Sequence, residues 1–595
     1  MADTLTLTRI RIIDFRCIEY LDMPIGDNTT VLIGENNSGK TSVLEALAIA
    51  LGSQSAIDDL RVTTDGSRAL SFTIDIRLEP AEGEEAFGNT ATVVFLEAIQ
   101  GLSTNDPFVV MRTTGTLDET KASVSLHRQF LRSWSEGPTD PPAFKPLPSP
   151  TVTNRALDLV QFNLLDARRD IVEQFTSRST FWGQMACDLS ISDEVIADIQ
   201  QRLKDLGDMI VDSSGTLRSV QEELTLAARS VANSGMVSIV PIPSKVDQLG
   251  RSMDVLMTSQ GSPSLPVGRH GMGTRSLAAM LAFKAYVSVM SKRVDQCPHS
   301  VSAFEEPEAH LHPQAQRTVY SILDKVQGQK LISTHSPSVA AIGNIFDFRI
   351  FHRHNGRVSV SWVPPMQQNG EPTFEQRELE HLHRFIQLRN AETLFARAVI
   401  LYEGEAEDLA FPVFALEKWP EGPSERGISL VCTEGAQCMP FYAHFLDKLG
   451  VEWFAFLDGD QAGSEALEGI RKRLDTTQED LLMRRVVILR DNGNGFDFEH
   501  YLVHEGYRPN LEEAVAEFDG PTALEDFQRI NRGQRRSENE FRDYQSPGWE
   551  DRLILDYLKK TKGRIGAVIA KHVLHRGLPS KVQAVFDLIE GVLSR

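Results

Sequence analysis

The chain has 595 residues, 41% of them hydrophobic and 24% charged, and a formal net charge of −21. That length exceeds what one hydrophobic core serves and predicts two to four domains, with a composition ordinary for a soluble globular protein. The acidic balance argues against a nucleic-acid coat protein, which needs Lys and Arg to neutralise phosphate.

In chain order, residues 5–13 (Leu5-Thr6-Leu7-Thr8-Arg9-Ile10-Arg11-Ile12-Ile13) alternate as an edge or hairpin strand. The apolar run Thr30-Val31-Leu32-Ile33 predicts a buried strand, and Ser42–Ala50 carries apolar residues at helical spacing. Between them lies Gly34-Glu35-Asn36-Asn37-Ser38-Gly39-Lys40-Thr41, the G-x-x-x-x-G-K-[ST] phosphate-binding loop. Backbone N–H groups from Gly34 to Ser42, Asn36, Asn37, Ser38 and Gly39 included, and the helix dipole favour phosphate there. Lys40 is expected on the β and γ phosphates of ATP and the Thr41 hydroxyl on Mg²⁺. Leu70–Leu78 and Thr90–Leu96 alternate as further strands, 134–152 reads as a proline-rich loop, and Val160–Ala167 as a strand. From about Ile171 to Val231 the pattern is helical, an insertion without sustained heptads.

Gly268–Ser276 is a Gly-rich turn before a helix at Leu277–Val289. Strand Ser300–Phe304 runs into Glu305-Glu306-Pro307-Glu308-Ala309-His310-Leu311-His312-Pro313. Helix Gln314–Val326 and strand Lys330–Thr334 follow, then His335-Ser336-Pro337. Two carboxylates at a strand end divide two tasks: Glu305 to hold Mg²⁺ through water, Glu306 to polarise the attacking water. His335 is placed to sense the γ-phosphate. Residues 363–376, polar and rich in proline, are the best domain boundary. A connecting helix, Arg377–Phe395, then leads to strands Ala398–Tyr402, Ile428–Cys432, Trp453–Leu457 and Val486–Leu489 with helices between, which predicts a small parallel sheet.

In that sheet Glu403 follows the first strand, with Glu407 just beyond, and Asp458-Gly459-Asp460 follows the third. Adjacent parallel strands project such carboxylates onto one rim. They stay ionised together only if cations neutralise them, and hard oxygen ligands favour Mg²⁺ or Mn²⁺. Asp497-Phe498-Glu499 offers one more ligand from either acid, and two ions suit in-line attack on a phosphodiester. The remainder is helical, and residues 529–595 hold 14 Lys and Arg against 8 Asp and Glu, a slight basic bias.

No apolar run reaches the roughly 18 residues of a spanning helix, so no membrane association is expected. Met1-Ala2-Asp3-Thr4 opens no secretory leader. The five cysteines, Cys17, Cys187, Cys297, Cys432 and Cys438, form no C-x-x-C pair. That argues for a reducing, cytoplasmic setting and against a structural zinc site.

The phosphate loop, Glu305–Pro313 and Ser333-Thr334-His335-Ser336-Pro337 together resemble the ABC-type ATPases related to RecF and SMC proteins. That resemblance makes Gly271-x-Gly273-Thr274-Arg275-Ser276 the signature motif, with Gly271, Gly273 and Ser276 closing over ATP on a partner subunit, and so implies a homodimer; it departs from the LSGGQ pattern. Glu403-Gly404 with Asp458-x-Asp460 resembles a Toprim domain. Their order in one chain resembles the OLD (overcoming-lysogenization-defect) family of nucleases.

The implied fold is α/β: an ABC/RecF-like ATPase domain (1–165 and 236–362) with a helical insertion (166–235), a linker (363–396), a Rossmann-like Toprim domain (397–510) and a helical C-terminal segment (511–595). The implied function is an ATP-dependent or ATP-regulated, metal-dependent DNA endonuclease in phage defence or DNA processing, dimeric or larger, with DNA and a separate helicase-like or other defence-system protein as candidate partners. Lys562 is the best match to the family's C-terminal catalytic lysine, with Lys559, Lys560 and Arg564 as competitors for the role. A topoisomerase-like enzyme and a clamp without nuclease activity are the alternatives.

Overall fold

The computed structural model describes residues 5–594, apart from 135–145, 167–191, 223–255, 258–264, 291–298, 475–481, 538–539 and the short gaps 54, 64–65, 103–105, 119, 122, 355, 368 and 562. The N-terminal half is two packed six-stranded sheets. One is antiparallel, in the order Ile18–Pro24, Leu5–Phe15, Ser71–Pro80, Val109–Asp118, Ser123–Leu131, Pro146–Thr151. The other runs Arg357–Ser361, Phe348–His354, Thr29–Gly34, Gln329–Thr334, His299–Glu305, Val160–Leu165. All its pairings are parallel except the first.

The two sheets and the helix Lys40–Ala50 enclose one apolar core. Gln329 ties them together through side-chain hydrogen bonds. Its Oε1 accepts from Leu7 N (2.8 Å), and its Nε2 donates to the carbonyls of Leu7 (2.8 Å) and Gly26 (2.9 Å).

The C-terminal half holds a four-stranded parallel sheet in the order Ile428–Cys432, Ala398–Tyr402, Glu452–Leu457, Val486–Ile488. A parallel sheet is covered on both faces, and its side chains alternate between them. Ala398, Ile400, Tyr402, Phe454 and Phe456 face a core shared with the terminal helices Trp549–Thr561, Gly566–Leu574 and Ser580–Leu593. Val399, Leu401, Trp453, Ala455 and Leu457 face a second core that also takes in Val31 and Ile33, beside the phosphate loop. The two halves therefore share apolar packing.

Two expectations are corrected. Thr90–Leu96 is not a strand: Asn89–Phe95 is a helix with Ala91 and Phe95 buried one turn apart. Phe95 packs edge-on against Phe87 and Phe130 at 5.6 and 6.1 Å. Tertiary contact at i, i+4 outweighs the strand preference of β-branched side chains. The loop read at 134–152 contains the strand Pro146–Thr151, on the sheet edge where proline's missing N–H is tolerated. The helical insertion lies largely outside the described residues; within it Asp193–Ser213 is helical as expected. No described helix is long and apolar enough to cross a membrane.

Candidate functional site

Strands Thr29–Gly34, His299–Glu305 and Gln329–Thr334 run parallel and in register, so Gly34, Glu305 and Thr334 end on one rim. The loop turns into its helix through Gly39 at φ +104°, a conformation open to glycine. The Lys40 ammonium is buried and donates to the carbonyls of Gly34 and Glu35, both at 2.8 Å. Burial pushes its pKa down to about 8, against the opposing pull of Glu306, Glu305, Glu308 and Glu35. A lysine held this way, curled onto its own loop, is poised to exchange carbonyls for phosphate oxygens.

The Thr41 hydroxyl hydrogen-bonds Glu305 Oε1, which joins the two expected Mg²⁺-side groups. Glu306 lies 3.6 Å from His335 Nε2. Burial first, then the Lys40 charge, pushes the His335 pKa below its ordinary value, so the ring is neutral at pH 7. Sequence reasoning missed the residue that sets this corner. Glu308 is buried, and its Oε1 accepts from Thr334 Oγ1 (2.7 Å), His335 N (2.9 Å) and Ser336 N (3.1 Å). Its signal was in the Glu-Glu-Pro-Glu run, where the third acid went unassigned.

The expected turn at Gly271–Ser276 is largely helix. Met272–Met290 is helical from its first residue, and Ser276 is buried. A Cβ on Gly273 would sit 2.9 Å from the His310 carbonyl, so the helix start rests on the segment after Glu306.

In the C-terminal half, Glu403, Asp458 and Asp460 stand at the ends of adjacent parallel strands, and helices Glu405–Lys418 and Gln461–Arg473 start there. A cleft of about 360 Å³ is lined by Glu403, Glu407, Asp458, Glu499 and the backbone at Gly404 and Gly563. Burial is the main cause of the pKa pattern. It raises Glu403 and Glu499, pushes Glu407 up to about 8, and pushes Asp458 up to about 9, with neighbouring carboxylates adding to each. Asp497 moves the other way: burial raises it, but hydrogen bonds from the His500 ring and N–H outweigh that.

Several of these oxygens are already engaged. Glu403 Oε1 accepts from Asp458 N at 3.0 Å. Asp460 Oδ1 caps its helix at Gly463 N (2.9 Å), and Asp497 Oδ1 caps the next at His500 N (2.8 Å). Asp458 Oδ1 is buried and has no hydrogen-bond partner among the described residues. A buried carboxylate oxygen left bare is costly unless something positive meets it. Glu403, Glu407, Asp458 and Glu499 border one cleft that Asp460 and Asp497 do not line, and among the described residues no three of these acids bring ligand atoms within 4.8 Å of one another.

Gly459 explains the middle of Asp458-Gly459-Asp460. A Cβ there would lie 2.1 Å from Leu489 O, 2.6 Å from Gly495 Cα and 2.7 Å from Phe496 N. Lys562 lies outside the described residues. Of its neighbours, Lys560 sits over the Phe527 ring at 5.4 Å, whereas the charge of Lys559 acts on Asp497 and His500.

The profile for an AAA ATPase domain matches residues 6–106 and 162–340. The profile for an overcoming lysogenization defect protein-like Toprim domain matches 394–460. The chain thus carries an AAA-type ATPase domain followed by an OLD-like Toprim domain, domain types that imply nucleotide and divalent-metal binding. It is 26% identical over 426 residues to an OLD nuclease of Thermus scotoductus, covering 68% of this chain and 72% of that one. It is 23% identical over 527 residues to the uncharacterized protein YbjD of Escherichia coli K12, covering 84% and 87%. The C-terminal region of the Xanthomonas campestris OLD protein is 18% identical, covering 34% of this chain and 97% of that one, with a TM-score of 0.26.

Proposed function

We propose that the chain is an ATP-regulated, divalent-metal-dependent DNA endonuclease, acting in phage defence or DNA processing. The observation that carries the reading is the bare, buried Asp458 Oδ1 among Glu403, Glu407 and Glu499 in one cleft. Carboxylate oxygens at this density suit Mg²⁺ or Mn²⁺. Glu403, Glu407, Asp458 and Asp460 would hold the metal, with Asp497 or Glu499 as a further ligand. Bound there, the ions supply an activated water and stabilise the leaving oxygen of a phosphodiester. The chain's own part is positioning. Asp460 caps the helix that starts beside Asp458, and Glu403 fixes the Asp458 backbone.

In the ATPase half, Thr41 and Glu305 would share the Mg²⁺ of bound ATP. Glu306 would accept a proton from the attacking water, and neutral His335 would meet the γ-phosphate. The relative named an OLD nuclease supports a nucleic-acid substrate, which this reading takes to be DNA. A homodimer closing Gly271, Gly273 and Ser276 over the partner's ATP, and a separate helicase-like partner, belong to the same reading. A topoisomerase needs a tyrosine nucleophile on a separate DNA-binding fold, and none of the nine tyrosines lies in a basic helix-turn-helix-like context.

The test is Asp458→Ala in a plasmid cleavage assay with Mg²⁺ or Mn²⁺. Cleavage and nicking are expected to disappear while ATP turnover persists. Cleavage retained by pure Asp458→Ala protein removes the nuclease assignment.

A further inference from the structure

A second cluster lies on the C-terminal helices, outside the carboxylate cleft. Helix Arg508–Asp519 packs against helix Gly566–Leu574, with Leu511, Ala514 and Val515 meeting Ile569, Ala570 and Val573 in one core. At the edge of that contact, Glu513, His572 and His575 bring one ligand atom each within 4.8 Å of one another, the only such trio among the described residues. The two imidazoles stand three residues apart, with ring centroids 5.3 Å from each other. His572 Nδ1 faces Glu513 Oε2 at 3.3 Å. Its other nitrogen, Nε2, lies 2.8 Å from Glu517 Oε2, and Lys571 holds the second Glu517 oxygen at 3.0 Å. Asn510 Nδ2 donates to the His572 carbonyl at 2.9 Å and so fixes its backbone.

This arrangement is more specific than a surface ion pair. A metal-ligating histidine typically donates its second N–H to a carboxylate, which sets the tautomer and aims the free lone pair at the metal. Glu517, braced by Lys571, stands where that carboxylate belongs, and Nδ1 then faces Glu513. The ring of His575 makes no hydrogen bond among the described residues, so an ion pair between His572 and its glutamates leaves it without a task. We propose that Glu513, His572 and His575 form a binding site for a borderline transition-metal cation of the Zn²⁺ class, with Glu517 as the positioning residue of His572 and water completing the coordination. Two imidazoles and one carboxylate with an open fourth position are an ordinary zinc donor set. The absence of paired cysteines, which argues against a thiolate zinc site, does not bear on a site built from His and Glu.

The site would pin one end of a helix whose other end borders the cleft. A Cβ on Gly566 would lie 2.4 Å from the Ala406 carbonyl, and one on Gly563 would lie 2.8 Å from Glu405 Cβ. A cation clamping the helix Gly566–Leu574 onto Arg508–Asp519 would therefore brace the wall of the carboxylate cleft.

The experiment uses the full chain, stripped of metal and then saturated with Mg²⁺ to fill the hard-oxygen sites. Zn²⁺ equivalents are counted by equilibrium dialysis for wild type, His575→Ala, His575→Gln and Glu517→Ala, each checked by circular dichroism. Wild type should bind one more equivalent than either His575 variant, and Glu517→Ala should keep that equivalent with roughly 10- to 100-fold weaker affinity. Co²⁺ in place of Zn²⁺ should give the strong visible absorption of a four-coordinate ion in wild type and not in His575→Ala. Equal Zn²⁺ counts and affinities in wild type and both His575 variants would overturn the proposal and leave His572 as a ring hydrogen-bonded between two glutamates. The outcome is independent of the nuclease reading, because none of these residues lines the carboxylate cleft.

Discussion

Gly459→Ala adds a single methyl group at the place where the C-terminal half is least able to receive it. The new Cβ would meet Leu489 O at 2.1 Å, Gly495 Cα at 2.6 Å and Phe496 N at 2.7 Å. Ordinary contacts of this kind are about 3.5 Å, so roughly 1 Å of movement is required. All three atoms are backbone, so no side chain can swing aside. The segment they belong to is pinned: Gly459 N donates to Phe496 O at 2.7 Å, Phe496 N to Leu489 O at 2.9 Å, and Leu489 N to Leu457 O at 2.9 Å. Overpacking of this sort costs about 1–3 kcal/mol in stability. The larger effect falls on the carboxylates flanking the glycine, since a displacement of about 1 Å in a positioned catalytic group costs on the order of 100-fold in rate.

The assay is plasmid nicking with Mg²⁺ or Mn²⁺, followed on gels, with ATP turnover measured in parallel. Gly591→Ala serves as the control, because a Cβ there meets nothing within 4 Å in the last turn of a helix. That change should leave activity alone and raise stability by no more than about 0.5 kcal/mol. Gly459→Ala should cleave about 100-fold more slowly than Gly591→Ala and hydrolyse ATP at the same rate. Equal cleavage by the two variants would refute the placement of Asp458 and Asp460 at the reacting centre.

Glu306→Gln should bind ATP and turn it over at least ~100-fold more slowly, the effect of losing a positioned base; near-normal turnover would transfer that role elsewhere. His444 is buried, edge-on to Phe374 at 5.4 Å, and burial, with Lys448 and Arg473 adding, pushes its pKa down to about 4. The ring is neutral in the fold and takes up a proton on unfolding below about pH 6.5, so stability is full above that pH and declines by about 3 kcal/mol down to about pH 4. Urea unfolding at pH 7 and pH 5 should show part of that loss, and His444→Phe should remove its share; an unchanged slope would exclude His444 as a cause. Gln329→Leu strands Leu7 N, Leu7 O and Gly26 O between the two N-terminal sheets and should cost roughly 3 kcal/mol or more by denaturant midpoint, with no change expected if water replaces the amide.

Local pattern carried most of the architecture. The phosphate loop was legible because its strand, glycines and helix are contiguous, and the parallel C-terminal strands because each is a short apolar run ending in an acid or a turn. What failed was what neighbours decide. Thr90–Leu96 alternates in sequence, yet aromatic contacts with Phe87 and Phe130 select the helix. Glu308 was anonymous in sequence because its role is to collect Thr334, His335 and Ser336 from a strand end more than twenty residues away. The Glu513–His572–His575 cluster was equally hidden, since its two helices are joined only by tertiary packing. Composition pointed to a boundary at residues 363–376, and within it Val363 and Phe374 are buried in the core shared by both halves, a contact that composition does not signal.

That shared core bears on how nucleotide would reach the second site. In the strand Thr29–Gly34, Leu32 faces the N-terminal core while Val31 and Ile33 face the same core as Trp453, Ala455 and Leu457. The strand Phe348–His354 continues the link. A Cβ on Gly34 would meet Phe351 O at 2.7 Å, and His352 Nε2 lies 2.8 Å from the Leu449 carbonyl, just before the strand that ends at Asp458. Close-packed interiors transmit displacement rather than absorbing it. A phosphate loop displaced when Lys40 releases the Gly34 and Glu35 carbonyls would therefore push on side chains that pack against the carboxylate-bearing strands. The proposed regulation by ATP would then need no flexible hinge between the halves: the apolar side chains that fold them together would couple one rim to the other.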